Sequence, residues 1–311
     1  RINDMAKLKY YVLCCRGMHA TKRHLKFIPK EDLVIVINTW TESDDIPYAE
    51  MNTQYLAEAE AWCIAEGIEY HITESDGTPS TGKNSVMKLF RESDNDYMVL
   101  VDGDDYITPH GIYMYDKIAQ SESPPDAIAL EYQIGINAHE QWRGAPNTIN
   151  PDHIPGYAYL TFKHPYQWWE KTLAGTYIPG DDEYSIKLNE AHTKVYSFAY
   201  KYIDNWEHHL RITFYSKKAA DPKFTFDPNL LVGEDTMQYC NLKYEWSQGN
   251  IDLRHLHELY PTYVYDQRLD GIVRYANKRN EDWGSIDWMN ELSAAYEKVV
   301  ADGRGITAKP P

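Results

Sequence analysis

A dense group of carboxylates follows a short apolar run near the middle of the first half of the chain. Residues 97–101 are apolar, with aromatic and β-branched side chains among them, and Asp102-Gly103-Asp104-Asp105 comes directly after. Such a run predicts a strand buried on both faces, and three carboxylates at its end repel one another unless a positive group lies there. Oxygen ligands without a neighbouring cysteine suit Mg²⁺ or Mn²⁺. We therefore expect Asp102 and Asp104 to hold a divalent ion; the alternative is a solvated acidic turn.

Histidine and arginine side chains supply further candidates for a site around that ion. His255 and His257 lie two positions apart, as on one face of a strand, so His257 is a candidate to complete the metal shell. Arg254 and Arg268 are candidates to bind an anionic group of a ligand, such as a phosphate. Each has an ordinary alternative, which is a packed or surface histidine in the first case and a surface ion pair in the second.

The segment from Gly77 to Ser85 nearly matches the phosphate-binding pattern G-x-x-x-x-G-K-[ST] of nucleoside triphosphatases. Asn84 stands where the pattern needs a hydroxyl, and Ser85 is rotated from that position by about 100° on a helix. The pattern also belongs after the first strand of its fold, whereas this segment follows the third predicted strand. We therefore set the nucleoside-triphosphatase hypothesis aside.

Apolar runs and amphipathic stretches alternate along the first part of the chain, and this alternation predicts an α/β fold whose mostly parallel central sheet is flanked by helices. Ligands of such sheets bind beyond the carboxyl ends of the strands. We therefore expect Asn38, Asp76 and the 102–105 cluster to lie at the carboxyl edge of one sheet. The elements predicted here are strands at 8–14, 32–38, 68–73 and 97–101, and helices at 48–66 and from 81 to 91.

The rest of the chain is predicted to complete the same domain around an insertion. A stretch rich in Pro, Gly, Trp and Tyr with weak periodicity predicts an irregular insertion. Trp168, Trp169 and Trp206 are candidates for a platform on which a ligand stacks, and the ordinary alternative is that they pack in the core. The later elements are predicted as strands at 127–134, 211–216, 224–231 and 263–265, and helices at 110–120, 233–244 and 287–301. The predicted organisation is a first α/β half at 5–135, the insertion at 136–210, a second half at 211–302 and a tail at 303–311.

Composition narrows the possible classes of protein. The chain has 311 residues and a formal net charge of −16 without a long basic run, which argues against a cationic groove for nucleic acid. Its four cysteines show no C-x-x-C spacing, which favours a reducing compartment. No apolar run approaches the roughly 20 residues that span a bilayer. We therefore expect a soluble, cytoplasmic protein without a membrane partner.

The order of these elements resembles the family-2 glycosyltransferases of the GT-A fold. That family has a glycine loop with a cation and an asparagine opening a helix, then a strand that ends in an aspartate cluster; here these are Gly77 to Asn84 and Asp102 to Asp105. The segment Phe226-Asp-Pro-Asn-Leu-Leu-Val-Gly-Glu-Asp235 resembles the G-E-D segment that carries the family's catalytic base. The resemblance covers residues 8–135 and 210–272.

The resemblance implies a metal-dependent, inverting glycosyltransferase that moves a sugar from a nucleotide-diphosphate donor to a hydroxyl acceptor. Mn²⁺ or Mg²⁺ would neutralise the leaving diphosphate, and Asp235 would be the catalytic base with Glu234 as its neighbour or substitute. The ordinary alternative is that both acids only favour the first turn of a helix. The implied donor-binding residues are Asn38, Thr39, Asp76, Lys83, Asp102 and Arg268, and the implied metal ligands are Asp102, Asp104 and His257.

Several positions depart from the family's pattern. Asn38 stands where the family usually has an aspartate that contacts the nucleobase, and Lys83 stands where it usually has an arginine, which keeps the charge but loses the bidentate geometry. No Q-x-x-R-W occurs near Arg268, which argues against a processive membrane polymerase. Two other classes stay open, a nucleotidyltransferase on a related sheet and a non-catalytic glycan-binding protein.

The acceptor has two candidates. A saccharide is favoured. A hydroxymethylated DNA base, which some phage enzymes of comparable size glycosylate, is the second candidate and would place the protein in the cytoplasm of a phage-infected cell. The net charge of −16 weighs against DNA, because phosphate contacts require a basic footprint.

Overall fold

The structure is a computed structural model, and it describes residues 5–14, 28–40, 49–103, 105–107, 109–130, 132–136, 159–160, 186–187, 195–199, 211–228, 234–256 and 263–266. Its helices are α1 (Ala49–Glu66), α2 (Pro79–Glu92), α3 (Pro109–Ala119) and α4 (Glu234–Ser247), with 3₁₀ turns at Lys30–Asp32 and Pro222–Phe224. Its strands are β1 (Leu8–Cys14), β2 (Leu33–Trp40), β3 (Glu69–Ser75), β4 (Tyr97–Asp102), β5 (Tyr106–Ile107), β6 (Ala127–Leu130), β7 (Tyr132–Ile136), β8 (Tyr159–Leu160), β9 (Ile186–Lys187), β10 (Val195–Ala199), β11 (Arg211–Ser216), β12 (Leu253–Leu256) and β13 (Tyr263–Asp266).

Seven strands form the central sheet in the order β12-β6-β11-β4-β1-β2-β3. β1 pairs in parallel with β2 and β4, β2 with β3, and β12 with β6. The register between β1 and β4 runs from Leu8 opposite Tyr97 to Leu13 opposite Asp102. The predicted mostly parallel, Rossmann-like α/β sheet is therefore confirmed, and the carboxyl ends of β1 to β4 share one edge.

β11 is the exception, because it runs antiparallel to both of its neighbours, β4 and β6. Phe214 lies opposite Val99 and Ser216 lies opposite Tyr97. The amino end of β11, which is Arg211, therefore lies at the carboxyl edge of the sheet. The sequence predicted this strand but not its direction.

Burial on both faces explains why the strands are nearly continuous apolar runs. Leu33, Ile35 and Ile37 of β2 pack into one core cluster, whereas Val34 and Val36 pack into the other. Burying each such aliphatic side chain contributes about 1.5–3 kcal/mol. Helices cover both faces: the first cluster includes Tyr55, Ala59 and Cys63 of α1, and the second includes Val86, Met87 and Phe90 of α2.

Helix α2 is held firmly at both ends, which matters because it carries Lys83. Its N-cap is Thr78, whose side chain accepts a hydrogen bond from the backbone N–H of Thr81, and Pro79 fills the first helical position. At its other end the ammonium of Lys217 donates to the carbonyl oxygen of Ser93 at 2.7 Å. These contacts set the position from which Lys83 extends to the carboxyl edge.

Two predicted elements differ in the structure. The strand predicted at 224–231 is absent from its described part, because Pro222–Phe224 forms a 3₁₀ turn and residues 225–228 continue without strand pairing. Proline limits the hydrogen bonds available to a strand there. The single strand predicted at 127–134 is two strands, β6 and β7, which belong to different sheets.

A second sheet lies in the order β10-β7-β13-β5. β10 comes from the predicted insertion, so that region is not wholly irregular, and the short pair β8–β9 lies in it too. β13 pairs with β5, with Tyr263 opposite Ile107, directly after the aspartate cluster. The predicted helix at 287–301 and the tail lie outside the described residues. Within the residues that are described, no helix is long and apolar enough to cross a bilayer.

A candidate active site at the carboxyl edge of the sheet

The strand β4 delivers Asp102 to the carboxyl edge, and a tight turn follows it. The backbone N–H of Asp105 donates to the carbonyl oxygen of Asp102 at 2.9 Å. Gly103 passes so close to β1 that an added Cβ would overlap the carbonyl oxygen of Leu13 and lie 3.0 Å from Cα of Cys14. The residue between the aspartates must therefore lack a side chain. Asp104 lies outside the described residues, so its predicted metal contact stays a prediction.

Lys83 brings three carboxylates together. Its ammonium nitrogen lies 2.8 Å from Oε1 of Glu234, 2.8 Å from Oδ1 of Asp235 and 3.6 Å from Oδ2 of Asp102. The residue is only 3% exposed. Burial opposes its charged form, but Asp102, Asp235 and Glu234 outweigh burial and hold the pKa of Lys83 well above its ordinary value. The aspartate cluster and the G-E-D segment, separated in sequence, thus meet at one cation.

Arg211 is a second cation in the same cluster. Its Nη1 lies 2.7 Å from Oδ2 of Asp102 and 3.3 Å from Oδ2 of Asp105, and its Nη2 lies 3.5 Å from Oδ2 of Asp235. The hydroxyl of Tyr263 accepts from Arg211 Nη1 at 2.9 Å and donates to Asp105 at 2.6 Å. Sequence reasoning did not identify Arg211 or Tyr263 as site residues. The one available signal was a cation at the start of an apolar strand.

The two acids at the amino end of α4 differ in their surroundings. The side chain of Glu234 is 10% exposed and that of Asp235 is 26% exposed. Burial is the largest cause that raises the pKa of Glu234 above its ordinary value, with the charge of Asp235 adding to it and Lys83 opposing it. Asp235 is therefore the carboxylate with better access to a ligand.

Charge balance shows what kind of ligand this cluster can accept. Its described members are four carboxylates (Asp102, Asp105, Glu234 and Asp235) and two cations (Lys83 and Arg211), which leaves an excess of two negative charges. Burial opposes ionisation of Asp102, but Lys83 and Arg211 outweigh it and lower the pKa of this carboxyl. Both cations contact Oδ2 of Asp102, so a metal ion bound to this carboxylate would use its Oδ1. The donor set fits a hard divalent cation.

Further metal ligands were predicted at positions that the structure does not describe. Among the described residues, no three His, Cys, Asp or Glu side chains are grouped as a complete metal site. His257 and Asp104 fall outside those residues, as does Arg268, so their assignments stay predictions. Trp168, Trp169 and Trp206 fall outside them as well.

The predicted donor-binding residues of β2 lie at the carboxyl edge, but their polar atoms bond to β3. Asn38 is 1% exposed; its Nδ2 donates to Oγ1 of Thr73 at 2.9 Å, and its Oδ1 accepts from Oγ of Ser75 at 2.7 Å. Oγ1 of Thr39 donates to the carbonyl oxygen of Thr73 at 3.0 Å. In this arrangement Asn38 joins the ends of two strands beneath Gly82, whose position for a Cβ is 3.5 Å from Oδ1 of Asn38.

Asp76 is engaged with the start of α2. Its Oδ1 accepts from the backbone N–H of Thr78 at 2.9 Å and from the hydroxyl groups of Thr78 and Thr81. Burial opposes ionisation, but these hydrogen bonds outweigh it and lower the pKa of Asp76. The carboxylate thereby shapes the glycine loop that precedes Lys83.

Asn84 connects this loop to the segment that leads to α4. Its Nδ2 donates to the carbonyl oxygen of Phe226 and its Oδ1 accepts from the backbone N–H of Phe226, both at 2.8 Å. A side-chain amide makes this two-way pairing with a backbone because it offers a donor and an acceptor side by side.

Arg254 lies on the edge strand β12, where it bonds to Asp252 and to the carbonyl oxygen of Ser123.

No family model matches the sequence, and no curated protein matches it. Among solved structures, the chain is similar to residues 1–349 of S. aureus TarS, with 13% identity and a TM-score of 0.48 over 84% of this chain and 60% of that one. The same fragment in complex with UDP-GlcNAc has 14% identity and a TM-score of 0.44, over 84% and 59% of the two chains.

A third similar structure is the inositol-1-phosphate CTP transferase from T. maritima, with 10% identity and a TM-score of 0.34 over 91% of this chain and 99% of that one. The match to the first TarS structure covers 60% of that fragment, so the chain spans about three fifths of its length. All these TM-scores lie below 0.5, so the fold assignment rests on the strand order and pairing described above.

Proposed function

We propose that the chain is a glycosyltransferase that moves a sugar from a nucleotide-diphosphate donor to a hydroxyl acceptor, with a divalent cation and with inversion. The observation that carries this proposal is the meeting of Asp102 and Asp235 at Lys83, within 3.6 and 2.8 Å of one ammonium nitrogen. In the proposed inverting transfer, Asp102 acts on the leaving-group side by holding the metal ion, and Asp235 acts on the acceptor side as the base.

On the donor side, Asp102 would hold Mn²⁺ or Mg²⁺ through Oδ1, with Asp104 and His257 as further proposed ligands. When bound, the ion supplies the positive charge that neutralises the departing diphosphate. The excess of two negative charges in the described cluster supports a divalent ion. Without such an ion, the cluster would repel a diphosphate.

On the acceptor side, Asp235 would take the proton of the acceptor hydroxyl. The acceptor oxygen forms the new bond to the anomeric carbon as the bond to the diphosphate breaks, and the nucleotide diphosphate leaves with the electron pair. Asp235 lies with Glu234 in the first turn of helix α4. Its 26% side-chain exposure gives the acceptor access that Glu234 lacks.

For the acceptor we propose a saccharide. The alternative, a hydroxymethylated base in DNA, would need a basic surface, and three described lysines that could contribute to one are engaged within the protein. Lys30 pairs with Glu66 at 2.7 Å, Lys217 binds the end of α2, and Lys218 pairs with Asp126 at 3.2 Å. These three side chains are therefore less available for the phosphate contacts that DNA binding requires.

The donor is tested by thermal stabilisation across a panel of nucleotide sugars, with and without Mn²⁺, followed by assay of nucleotide diphosphate release. We expect stabilisation and turnover with one nucleotide only when Mn²⁺ is present, and loss of turnover in Asp104→Asn. Full turnover in excess EDTA would overturn the metal requirement. Pyrophosphate release from a nucleoside triphosphate and a sugar phosphate would instead show a nucleotidyltransferase, and glycan binding without nucleotide or metal would show a binding protein.

The acceptor is tested separately. The protein is incubated with mixed nucleotide sugars and either hydroxymethylcytosine-containing DNA or a glycan array. The masses of the products are measured by mass spectrometry. We expect a hexose- or pentose-sized mass gain on a glycan. The same gain on the modified nucleoside would overturn the saccharide proposal.

A further inference from the structure

We propose that Arg211 is a positioning residue that fixes the separation between Asp102, on the donor side, and Asp235, the candidate base. This inference rests on the proposed function. Arg211 is not among the site residues expected from the sequence, and it touches both carboxylates in the structure. The proposal adds a role for a residue that acts through its neighbours.

The geometry is that of a fork. Nη1 of Arg211 lies 2.7 Å from Oδ2 of Asp102, while Nη2 of the same guanidinium lies 3.5 Å from Oδ2 of Asp235. Because the guanidinium is planar and rigid, the distance and angle between its two nitrogens do not change. Two carboxylates that bind these nitrogens are therefore held at a set spacing, and an inverting transfer depends on the spacing between leaving group and base.

The guanidinium is itself fixed from several directions. Its Cζ lies 4.8 Å from the ring centroid of Tyr263, and its Nη1 donates to the hydroxyl of Tyr263 at 2.9 Å. The same hydroxyl donates to Asp105 at 2.6 Å and accepts from the backbone N–H of Asp102 at 3.2 Å. Tyr263 and Asp105 are both 0% exposed. The carboxylates, the phenol and the guanidinium thus form a closed network around the turn after β4.

Lys83 also contacts Asp102 and Asp235, but it cannot set their spacing in the same way. Its ammonium is a single point of charge on a flexible stem, whereas the two guanidinium nitrogens of Arg211 are held at a fixed distance from each other. Lys83 supplies attraction, whereas Arg211 supplies direction. A purely structural role for Arg211, neutralising the buried Asp105, is the alternative that the experiment must separate.

The test compares Arg211→Lys, Asp235→Asn and the double variant. Arg211→Lys keeps the charge but removes the fork, so we expect kcat at saturating donor and metal to fall by about 10- to 100-fold, with donor KM changed less. In the Asp235→Asn background, Arg211→Lys should cause little further loss of kcat, because Arg211 acts through Asp235. Arg91→Lys is the matched control and should retain wild-type kcat, because Arg91 lies in the last turn of α2 and its Nη1 donates to the carbonyl oxygen of Ala220 at 2.8 Å.

A second readout does not depend on turnover. Urea unfolding midpoints of the same variants, without donor or metal, should be non-additive if Arg211 and Asp235 interact. Additive midpoints, an unchanged kcat in Arg211→Lys, or fully multiplicative kinetic losses in the double variant would each overturn the inference. If the wild type turns over no nucleotide sugar although the midpoints are non-additive, the proposed function fails and the Arg211 role in catalysis fails with it. If the wild type turns over a nucleotide sugar but the losses of kcat in the double variant are multiplicative, the Arg211 inference fails and the proposed function stands.

Discussion

Nζ of Lys83 lies 2.8 Å from Oδ1 of Asp235, although the two residues are 152 positions apart in the sequence. The same nitrogen lies 2.8 Å from Glu234 and 3.6 Å from Asp102. The resemblance to family-2 glycosyltransferases implies that Lys83 binds the donor. In the structure, the ammonium is surrounded by carboxylates, which makes it the common partner of the two acidic segments.

This arrangement predicts a large loss of stability in Lys83→Met. The change removes the buried cation and leaves three carboxylates next to one another, and breaking a buried ion pair in this way costs about 3–5 kcal/mol. The measurement is the free energy of unfolding in urea at pH 7. Lys30→Met, which removes an exposed ion pair with Glu66, is the control and should cost under about 1 kcal/mol. Equal losses in the two variants would contradict this account.

The candidate base predicts a specific kinetic effect. Asp235→Asn keeps the size of the side chain and removes the base, so kcat should fall by roughly 10²–10⁴-fold while donor affinity changes little. Glu234→Gln is the paired variant and should cost less, because Glu234 is the more buried acid. Steady-state kinetics with the donor found in the panel makes the comparison. If Glu234→Gln is inactive and Asp235→Asn is active, the two roles are exchanged; if both are active, the inverting mechanism fails.

Gly103 predicts a steric effect on the aspartate turn. Any Cβ at this position would overlap the backbone of β1 at Leu13 and Cys14, so Gly103→Ala should destabilise the fold by about 1–3 kcal/mol and weaken Mn²⁺ binding. Gly249→Ala is the control, since Gly249 has φ +73° and open space around it. That variant should lose about 1 kcal/mol of unfolding free energy, because alanine is strained at a positive φ. Its Mn²⁺ affinity, measured by calorimetry, should not change. Unchanged Mn²⁺ affinity in Gly103→Ala would contradict the prediction.

The cysteines predict a pattern of thiol reactivity. Burial raises the pKa of Cys63 to about 11 and that of Cys240 to about 12. At pH 8, roughly one Cys63 in a thousand is therefore a thiolate, since each pH unit below the pKa is a factor of ten. Iodoacetamide at pH 8 should leave both peptides unlabelled in the native protein and label them fully in urea, as read by mass spectrometry. Rapid native labelling of either would show that its helix opens.

The raised thiol pKa values also set the sign of a pH effect on stability. Unfolded thiols ionise near 9.0, whereas Cys63 ionises at about 11 when folded. The stabilising contribution of the buried neutral thiol is therefore complete below pH 9 and is lost as pH rises towards 11. Cys63→Ala should flatten this part of the curve of unfolding free energy against pH.

Local pattern was enough to determine much of this protein from its sequence. The apolar runs, such as Leu33 to Ile37, are buried on both faces, and their alternation with helices predicted parallel pairing of β1 to β4, which the structure confirms. The helix predicted at 48–66 is α1, and Gly67, with φ +67°, follows its last residue. These features depend on neighbouring residues and on periodicity, which the sequence displays directly.

Only the tertiary structure decided which distant charges meet. Long-range packing determines that Lys83 contacts Glu234. The antiparallel direction of β11 determines that Arg211 lies beside Asp102. An isolated arginine at the start of an apolar strand carries no local mark of its partner. From the sequence, Asn38 was expected to bind the donor. In the structure its side-chain amide is buried and forms hydrogen bonds with Thr73 and Ser75 of β3. Buried polar groups must find partners, and the fold supplies those partners from residues far away in the chain.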